Sequence, residues 1–234
     1  MNIGVILAGG KGLRLDKNMP KQMMLLGNKP VISWSVDTFH KIDLIDKIIV
    51  VSEKSILTEI KGLFPAHNYP KLSFIEGGEE RHDSSFNALI SSKFNDDDIF
   101  LFHDAARPFV GEEIIVSVIN ETKKSGACGV YMQASDTIAI VNDSKIESIP
   151  DRKSVYYAQT PQGFKYKVIM QAHQNKNKGR AITDDISLVF SMGLDVSVIS
   201  GSYNNFKITT EEDLRIARLT ATEYNSNVWI EDNG

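Results

Sequence analysis

The chain has 234 residues, 42% of them hydrophobic and 24% charged, with a formal net charge of -4. That is the make-up of a soluble globular protein, and it excludes collagen-like, disordered and membrane-embedded classes. With 26 Lys and Arg against 30 Asp and Glu there is no basic excess to displace counterions from a phosphate backbone, so no nucleic-acid partner is expected.

In chain order, short aliphatic runs alternate with amphipathic stretches. The pattern predicts a strand over Ile3–Leu7, a helix over Val31–His40, a strand over Ile48–Val51, a helix over Ser55–Phe64 and a strand over Leu72–Ile75. It continues with a helix over Ser84–Ser92, a strand over Ile99–Phe102, a helix over Glu112–Lys124 and a strand over Gly129–Met132. Helices over Tyr166–Gln174 and Asp184–Met192, a strand over Val196–Ile199 and a last helix complete the series. Such alternation implies an α/β fold with a mostly parallel sheet, and the length favours one domain over residues 1–234. The last helix has the clearest start: Thr210 and Asp213 form a capping-box pattern, after which Leu214, Ile216, Ala217 and Leu219 are expected to be its buried face. Residues 137–151 break the rhythm. Two apolar runs flank the turn-forming Asn142, Asp143 and Ser144, which predicts a β-hairpin arm projecting from the domain.

Cys128 is the single cysteine, in an apolar context that suits a core position, and the five histidines show no zinc-ligand spacing. Met1 runs straight into the first apolar stretch without a basic leader, and no run of about 18 apolar residues occurs. A cytoplasmic protein without a membrane partner is expected.

Six motifs carry chemistry. LAGGKGLRL, residues 7–15, follows the first strand and is continued by PKQ at 20–22. Gly9, Gly10 and Gly12 have no Cβ, so they can take positive φ and bring backbone N–H groups against anionic oxygens, while Arg14 and Lys21 supply positive charge. Leu15 stands where a dinucleotide fingerprint needs glycine, and no P-loop Gly-Lys-Ser/Thr is present. A plain glycine turn with solvated cations is the competing reading. GGEERHDSSFNAL, residues 77–89, repeats the strand, glycine and helix-start arrangement, and open α/β sheets bind ligands outside the carboxyl ends of their strands. Here Ser84 is either a ligand contact or a helix cap.

FHDAARPFV, residues 102–110, places Asp104 and Arg107 in one loop, suited to a sugar hydroxyl or magnesium and to a phosphate, or to a mutual ion pair. His103 is read as packed, not catalytic. AQTPQGF at 158–164, ITDDISLV at 182–189 and NNFKITTEEDL at 204–214 complete the set; Asp184 and Asp185 serve a helix dipole in the simplest reading, and Lys207 reaches for solvent. With no hydrolase elbow and no H-E-x-x-H, covalent catalysis has no candidate, which points to chemistry run by positioned charge.

In order and spacing, LAGGKGLRL with PKQ, GGEER with Ser84, HDAARPF, AQTPQ, ITDD and NFKIT resemble the cytidylyltransferases that make CDP-linked polyols, above all the 2-C-methyl-D-erythritol 4-phosphate cytidylyltransferase family of isoprenoid precursor synthesis. The resemblance spans nearly the whole chain and implies a Rossmann-like nucleotidyltransferase domain acting on CTP and a polyol phosphate with Mg²⁺. By this resemblance Leu7, Ala8, Gly9, Gly10, Gly12, Gly78, Glu79, Ser84 and Ala105 hold the nucleotide. Arg14 and Lys21 stabilise charge at its α-phosphate. Asp104, Arg107, Thr137, Arg152, Thr160 and Lys207 hold the polyol phosphate, Arg152 and Lys207 orienting its attack, and Asp104 is the one protein group considered for the metal. The same resemblance makes the hairpin a dimerisation arm that lends Thr137 and Arg152 to a neighbour's site. Ala8-Gly9-Gly10 and NNFKITT lean towards the related ribitol-5-phosphate enzymes, whereas Ala105, Ala106 and Asp185 follow the erythritol pattern. A non-catalytic nucleotide sensor on the same fold and a dinucleotide-dependent oxidoreductase are the alternatives of other classes; Leu15 counts against the second.

Overall fold

A computed structural model describes residues 1–10, 19–175 and 182–225. The strands are β1 (Asn2–Leu7), β2 (Leu25–Leu26), β3 (Lys29–Pro30), β4 (Lys47–Ser52), β5 (Leu72–Glu76), β6 (Ile99–Asp104), β7 (Ala127–Gln133), β8 (Ile140–Asn142), β9 (Lys145–Ser148), β10 (Tyr156–Lys165) and β11 (Ser197–Ser200). The helices are α1 (Val31–Lys41), α2 (Lys54–Gly62), α3 (Arg81–Ile90), α4 (Glu112–Ser125), α5 (Tyr166–Gln174), α6 (Asp185–Phe190) and α7 (Glu211–Asn225). Among these helices none is long and apolar enough to cross a membrane.

Seven strands form one sheet in the order β11-β7-β10-β6-β1-β4-β5. Every pairing in it is parallel except those of β10, which runs antiparallel between β6 and β7. Helices cover both faces, so the central strands are buried on both sides and read as continuous aliphatic runs. Successive side chains diverge as the strand period requires. Ile6, Ile48, Val50 and Leu101 pack with α1 and α4, whereas Val5, Leu7, Ile49, Val51, Phe100 and Phe102 pack with α3, α5 and α6. A third cluster, Met24, Leu26, Trp34 and Phe109 with Leu214, Ala217 and Ala221, seats α7. Gly126 ends α4 at φ 88, donating its N–H to the Thr122 carbonyl, a left-handed cap that a side chain would strain.

Three expectations change. The predicted helix over Ser84–Ser92 begins earlier, at Arg81, where the Asp83 carboxylate accepts the Glu80 N–H, so Ser84 is inside the helix and caps nothing. The Thr210/Asp213 box forms, yet Ile216 and Leu219 are 44% and 64% exposed, because the stripe at about 100° per residue runs through Leu214, Ala217 and Ala221 instead. AQTPQGF, for which the pattern predicts no element, is the middle of β10, whose register shifts between Gln159 and Gly163 around Pro161, the residue with no N–H to offer the ladder. The hairpin is present as β8 and β9, turning on Asp143 and Ser144 at φ 46 and 62. Asn142, expected in the turn, pairs with Lys145 in the ladder.

Candidate active site

The parallel strands all end on one side, and their backbones are stapled there: Ala8 N–H donates to Val51 O at 2.7 Å, Ala105 N–H to Leu7 O at 3.0 Å and Gly77 N–H to Ser52 O at 2.9 Å. Beyond these ends lies a cleft of about 1000 Å³. Its lining includes Leu7, Ala8, Gly9 and Gly10 after β1, Gly78, Glu79 and Ser84 around the start of α3, Asp104 and Ala105 after β6, and Lys21 and Lys207. Residues from both ends of the sequence thus meet at one site. Gly12 and Arg14 lie outside the described residues.

Each wall has a local cause. Gln22 is buried and donates its side-chain N–H to Ala8 O at 2.6 Å, which ties PKQ to the first loop, and Lys21 Nζ donates to Ile208 O at 3.1 Å, which ties it to the far end of the chain. Gly9 and Gly10 do not use positive φ as expected. The close approach is at Gly78, where a Cβ would fall 2.2 Å from the Asp83 Cβ; its N–H donates to Ser84 Oγ at 3.1 Å.

Asp104 is the electrostatic centre. Lys207 Nζ lies 2.7 Å from its Oδ2, Arg81 Nε 3.5 Å from its Oδ1 and Arg107 Nε 3.9 Å from Oδ2. Burial pushes this carboxyl up, but Lys207, then Arg81 and Arg107, hold it well below the usual carboxylate range. Lys207 therefore does more than reach for solvent: half-exposed, it presents an ammonium to the cleft while anchored on Asp104.

Arg107 and Thr160 are not brought to the cleft. Arg107 spends its guanidinium on the Asn205 and Ala158 carbonyls, at 2.8 and 3.2 Å. Thr160 is buried behind the wall, its Oγ1 accepting the Asp104 N–H at 3.1 Å and meeting His103 Nδ1 at 3.0 Å. Since His103 Nε2 sits 3.0 Å from the Arg107 carbonyl, which only accepts, that nitrogen carries the proton and Nδ1 accepts from Thr160. Burial holds His103 neutral, its pKa pulled down to about 4. Both expected substrate contacts are, in this geometry, braces that fix the Asp104 loop from behind. Thr137 and Arg152 are exposed on the arm, Arg152 Nη1 donating to Ser135 O at 3.4 Å, and neither lines the cleft of its own chain.

Cleft residues outside the expected site set include Arg81 and Gln22, which lie within quoted motifs, and Glu76, Glu53 and Lys54, which lie in none. Arg81 sits inside GGEER and was legible as a cation near phosphate; Glu53 and Lys54 carry no sequence signal beyond following a strand. Asp184 caps α6 and accepts from Gln162 Nε2 at 2.7 Å, as a helix-start carboxylate does, but Asp185 is fully buried against Arg81 Nη1 at 2.5 Å. Cys128 is buried as expected, its thiol pushed up to about 12 by desolvation and then Glu121.

A family profile described as 2-C-methyl-D-erythritol 4-phosphate cytidylyltransferase matches residues 3–223. The enzyme so named from Thermosipho africanus is 39% identical over 219 residues, 92% of this chain and 96% of its own, and that of Lachnoclostridium phytofermentans is 36% identical over 225 residues, 94% and 96%. The crystal structure of the 4-diphosphocytidyl-2C-methyl-D-erythritol synthase of Anaerococcus prevotii superposes with a TM-score of 0.83 at 29% identity, covering 94% of this chain and 96% of that one. The Francisella tularensis 2-C-methyl-D-erythritol 4-phosphate cytidylyltransferase superposes at 0.78, also at 29% identity, covering 93% and 98%.

Proposed function

The chain belongs to the 2-C-methyl-D-erythritol 4-phosphate cytidylyltransferase family, and from that premise we propose how its cleft works. It is a CTP-dependent nucleotidyltransferase of isoprenoid precursor synthesis, joining CTP and 2-C-methyl-D-erythritol 4-phosphate to give the CDP-linked polyol and pyrophosphate. The ribitol reading is not favoured by relatives that all bear the erythritol name.

A phosphate oxygen of the polyol attacks the α-phosphorus; that P–O bond forms as the bond to the bridging oxygen of pyrophosphate breaks. A phosphate monoester with a second pKa of about 6 is mostly dianionic at neutral pH, so no general base is required. The difficulty is bringing two anions together, and the buried, cation-ringed Asp104 beside Lys207 is the observation that carries this reading. Leu7 to Gly10, with Gly78, Glu79, Ser84 and Ala105, hold CTP, joined by Gly12 on the sequence resemblance. Lys21, and Arg14 on the same resemblance, act on the α-phosphate. Asp104 accepts from a polyol hydroxyl while Lys207 meets its phosphate. Asp104 does not fit a metal: both oxygens are committed to cations, and a divalent ion there would face Lys207, Arg81 and Arg107 at once. Magnesium would instead be held mostly by the triphosphate oxygens and would supply charge neutralisation there.

Thr137 and Arg152 are assigned to the cleft of a second copy in a homodimer, a reading supported by their absence from their own cleft and by the exposed apolar arm. A cytoplasmic setting agrees with one buried, unpaired thiol, and the net charge of -4 argues against a nucleic-acid partner. Pyrophosphate release with CTP, UTP, ATP and GTP against methylerythritol, ribitol and glycerol phosphates tests the assignment. CTP with methylerythritol phosphate is expected to lead. UTP should trail less than the purines, since it differs at one hydrogen-bonding edge. Equal turnover with ATP, or with ribitol phosphate, would overturn it.

A further inference from the structure

Asp185 stands 104 residues from Arg81 in sequence, yet the two meet at 2.5 Å between α6 and α3. Asp185 has no exposed surface; its Oδ2 also accepts from Ser85 Oγ at 3.2 Å, while Oδ1 has no hydrogen-bond partner, nor does Arg81 Nη2. A buried ion pair with unmet polar atoms contributes little to stability, since apolar residues of the same volume usually do as well. Its retention asks for another reason, and the geometry supplies one. The opposite edge of the same guanidinium, Nε, faces Asp104 Oδ1 at 3.5 Å, and Asp104 Oδ2 holds Lys207 at 2.7 Å. Charges alternate through the wall: Asp185, Arg81, Asp104, Lys207. Arg81 keeps its charge in this setting, because burial pulls its pKa down but Asp185 and Asp104 more than reverse that.

We propose that Asp185 is a positioning residue for the polyol phosphate: its buried carboxylate fixes Arg81, whose other edge fixes Asp104 beside Lys207. The inference rests on the reading of Asp104 and Lys207 as polyol-phosphate contacts. Without the Asp185 charge, Asp104 is the one ion-pair partner that Arg81 keeps among the described residues; Arg81 then draws Asp104 away from Lys207, so the cation that meets the polyol phosphate loses its seat. The nucleotide contacts at Gly78 and Ser84 come from a different bond and stay in place. A guanidinium bridges two carboxylates through separate edges of one rigid plane, a fixed fork that the compact ammonium of Arg81→Lys does not reproduce.

Steady-state kinetics of the full chain test this with Asp185→Asn, Arg81→Lys, the double variant and Lys207→Gln. Asp185→Asn is expected to lower kcat/KM for the polyol phosphate by about tenfold to a hundredfold, the scale on which a misplaced group acts. The KM for CTP should be unchanged, and the double variant no worse than Arg81→Lys alone. Wild-type kinetics for Asp185→Asn, losses that multiply in the double variant, or a parallel rise in the KM for CTP, which a merely loosened α3 would give, overturn the proposal. Should Asp185→Asn not fold by circular dichroism, Arg81→Lys carries the test: the same selective loss supports the bridge and wild-type kinetics overturn it. Lys207→Gln separates the premises, because wild-type polyol kinetics there would withdraw the site reading itself, whatever Asp185→Asn does.

Discussion

The cleft and the arm answer the loss or retention of water in opposite ways. In the cleft wall the charges around Asp104 are matched: Asp104 is 8% exposed and has three cations within 4 Å, and its loop is braced from behind by Thr160 and His103. On the arm Ile140, Val141, Ile146 and Ile149 are all at least half exposed, and among the described residues β8 and β9 pair only with each other. A two-stranded hairpin is marginal by itself, and a run of exposed aliphatics asks for cover. One half of the proposed site is therefore organised within a single chain, where low dielectric makes fixed charges effective, while the other half, in the proposed homodimer, would take its order from the surface of a second copy.

The comparison breaks first if fixed charge in the cleft proves idle. Lys21→Ala should lower kcat at saturating substrates by on the order of 10² to 10³ while leaving the KM for CTP nearly unchanged, because charge at the α-phosphate grows only in the transition state. Lys207→Ala should lose a comparable factor, but mainly in kcat/KM for the polyol phosphate. Lys21→Arg should not restore full turnover, since a planar fork cannot replace a compact ammonium held against Ile208 O. Steady-state kinetics with circular dichroism to confirm folding decide it; unchanged turnover in the lysine variants would remove positioned charge from the mechanism.

The bracing behind the wall has a pH signature of its own. His103 is neutral in the fold, its pKa down from 6.5 to about 4, so the unfolded chain takes up a proton first as pH falls. Stability is full above about 6.5 and declines from there to about 4, by roughly 3 kcal/mol for a shift of this size, after which the folded state binds the proton too. Asp104, held low by Lys207 and Arg81, contributes only further down, as pH falls below the ordinary carboxylate range towards its depressed folded value, so the two windows separate. Urea unfolding at pH 7, 5.5 and 4.5 should show this slope in the wild type and lose most of it in His103→Gln. An equal slope in both would mean that the buried imidazole does not set it.

Much of the parallel sheet was legible, since strands buried on both faces leave uninterrupted aliphatic runs, and α5 was read to the residue at Tyr166–Gln174. β10 was not, because its buried core carries Gln159, Thr160, Pro161 and Gln162, which look like a loop. Those polar groups are held inside by distant partners: Ser202 and Asn205 for Gln159, and Asp184 for the amide N–H of Gln162. The cleft followed the same division. Glycine loops and strand-end motifs named most of its lining, whereas Arg107 and Thr160 as braces, and Asp185 against Arg81, depend on pairings between distant segments that no local pattern encodes.

A smaller loss should follow at the arm, and it tests whether the second half of the site is shared. Arg152→Ala should lower kcat/KM for the polyol phosphate by about tenfold to a hundredfold, the range for a lost hydrogen bond to a charged group. Mixing it with Lys21→Ala then discriminates. In a hybrid dimer one site pairs the intact cleft of the Arg152→Ala chain with the intact arm of the Lys21→Ala chain. With half the dimers hybrid and one of two sites repaired, activity should recover to roughly a quarter of wild type if the sites are shared as symmetry allows. No recovery on mixing, with both variants folded, would place Arg152 in its own chain's chemistry or outside it.

The smallest expected effect is on the stability of the arm itself. Ile146 is 64% exposed and stands opposite Val141 in the hairpin ladder, so in a dilute single chain Ile146→Ser removes little beyond one cross-strand contact. The change in unfolding free energy should stay within about 0.5 kcal/mol, as for most surface substitutions. In a symmetric assembly the same residue counts twice, and replacing it puts two hydroxyl-bearing side chains where aliphatic surface should be covered. Self-association should therefore weaken although the chain folds as before. Urea unfolding at high dilution, with sedimentation equilibrium over a range of concentrations, reads the two quantities separately. A large loss of stability at dilution would show that Ile146 is part of the chain's own core. Unchanged association would show that the exposed aliphatics are not what a second copy covers, and Arg152 would then have no route into a neighbouring cleft by way of this arm.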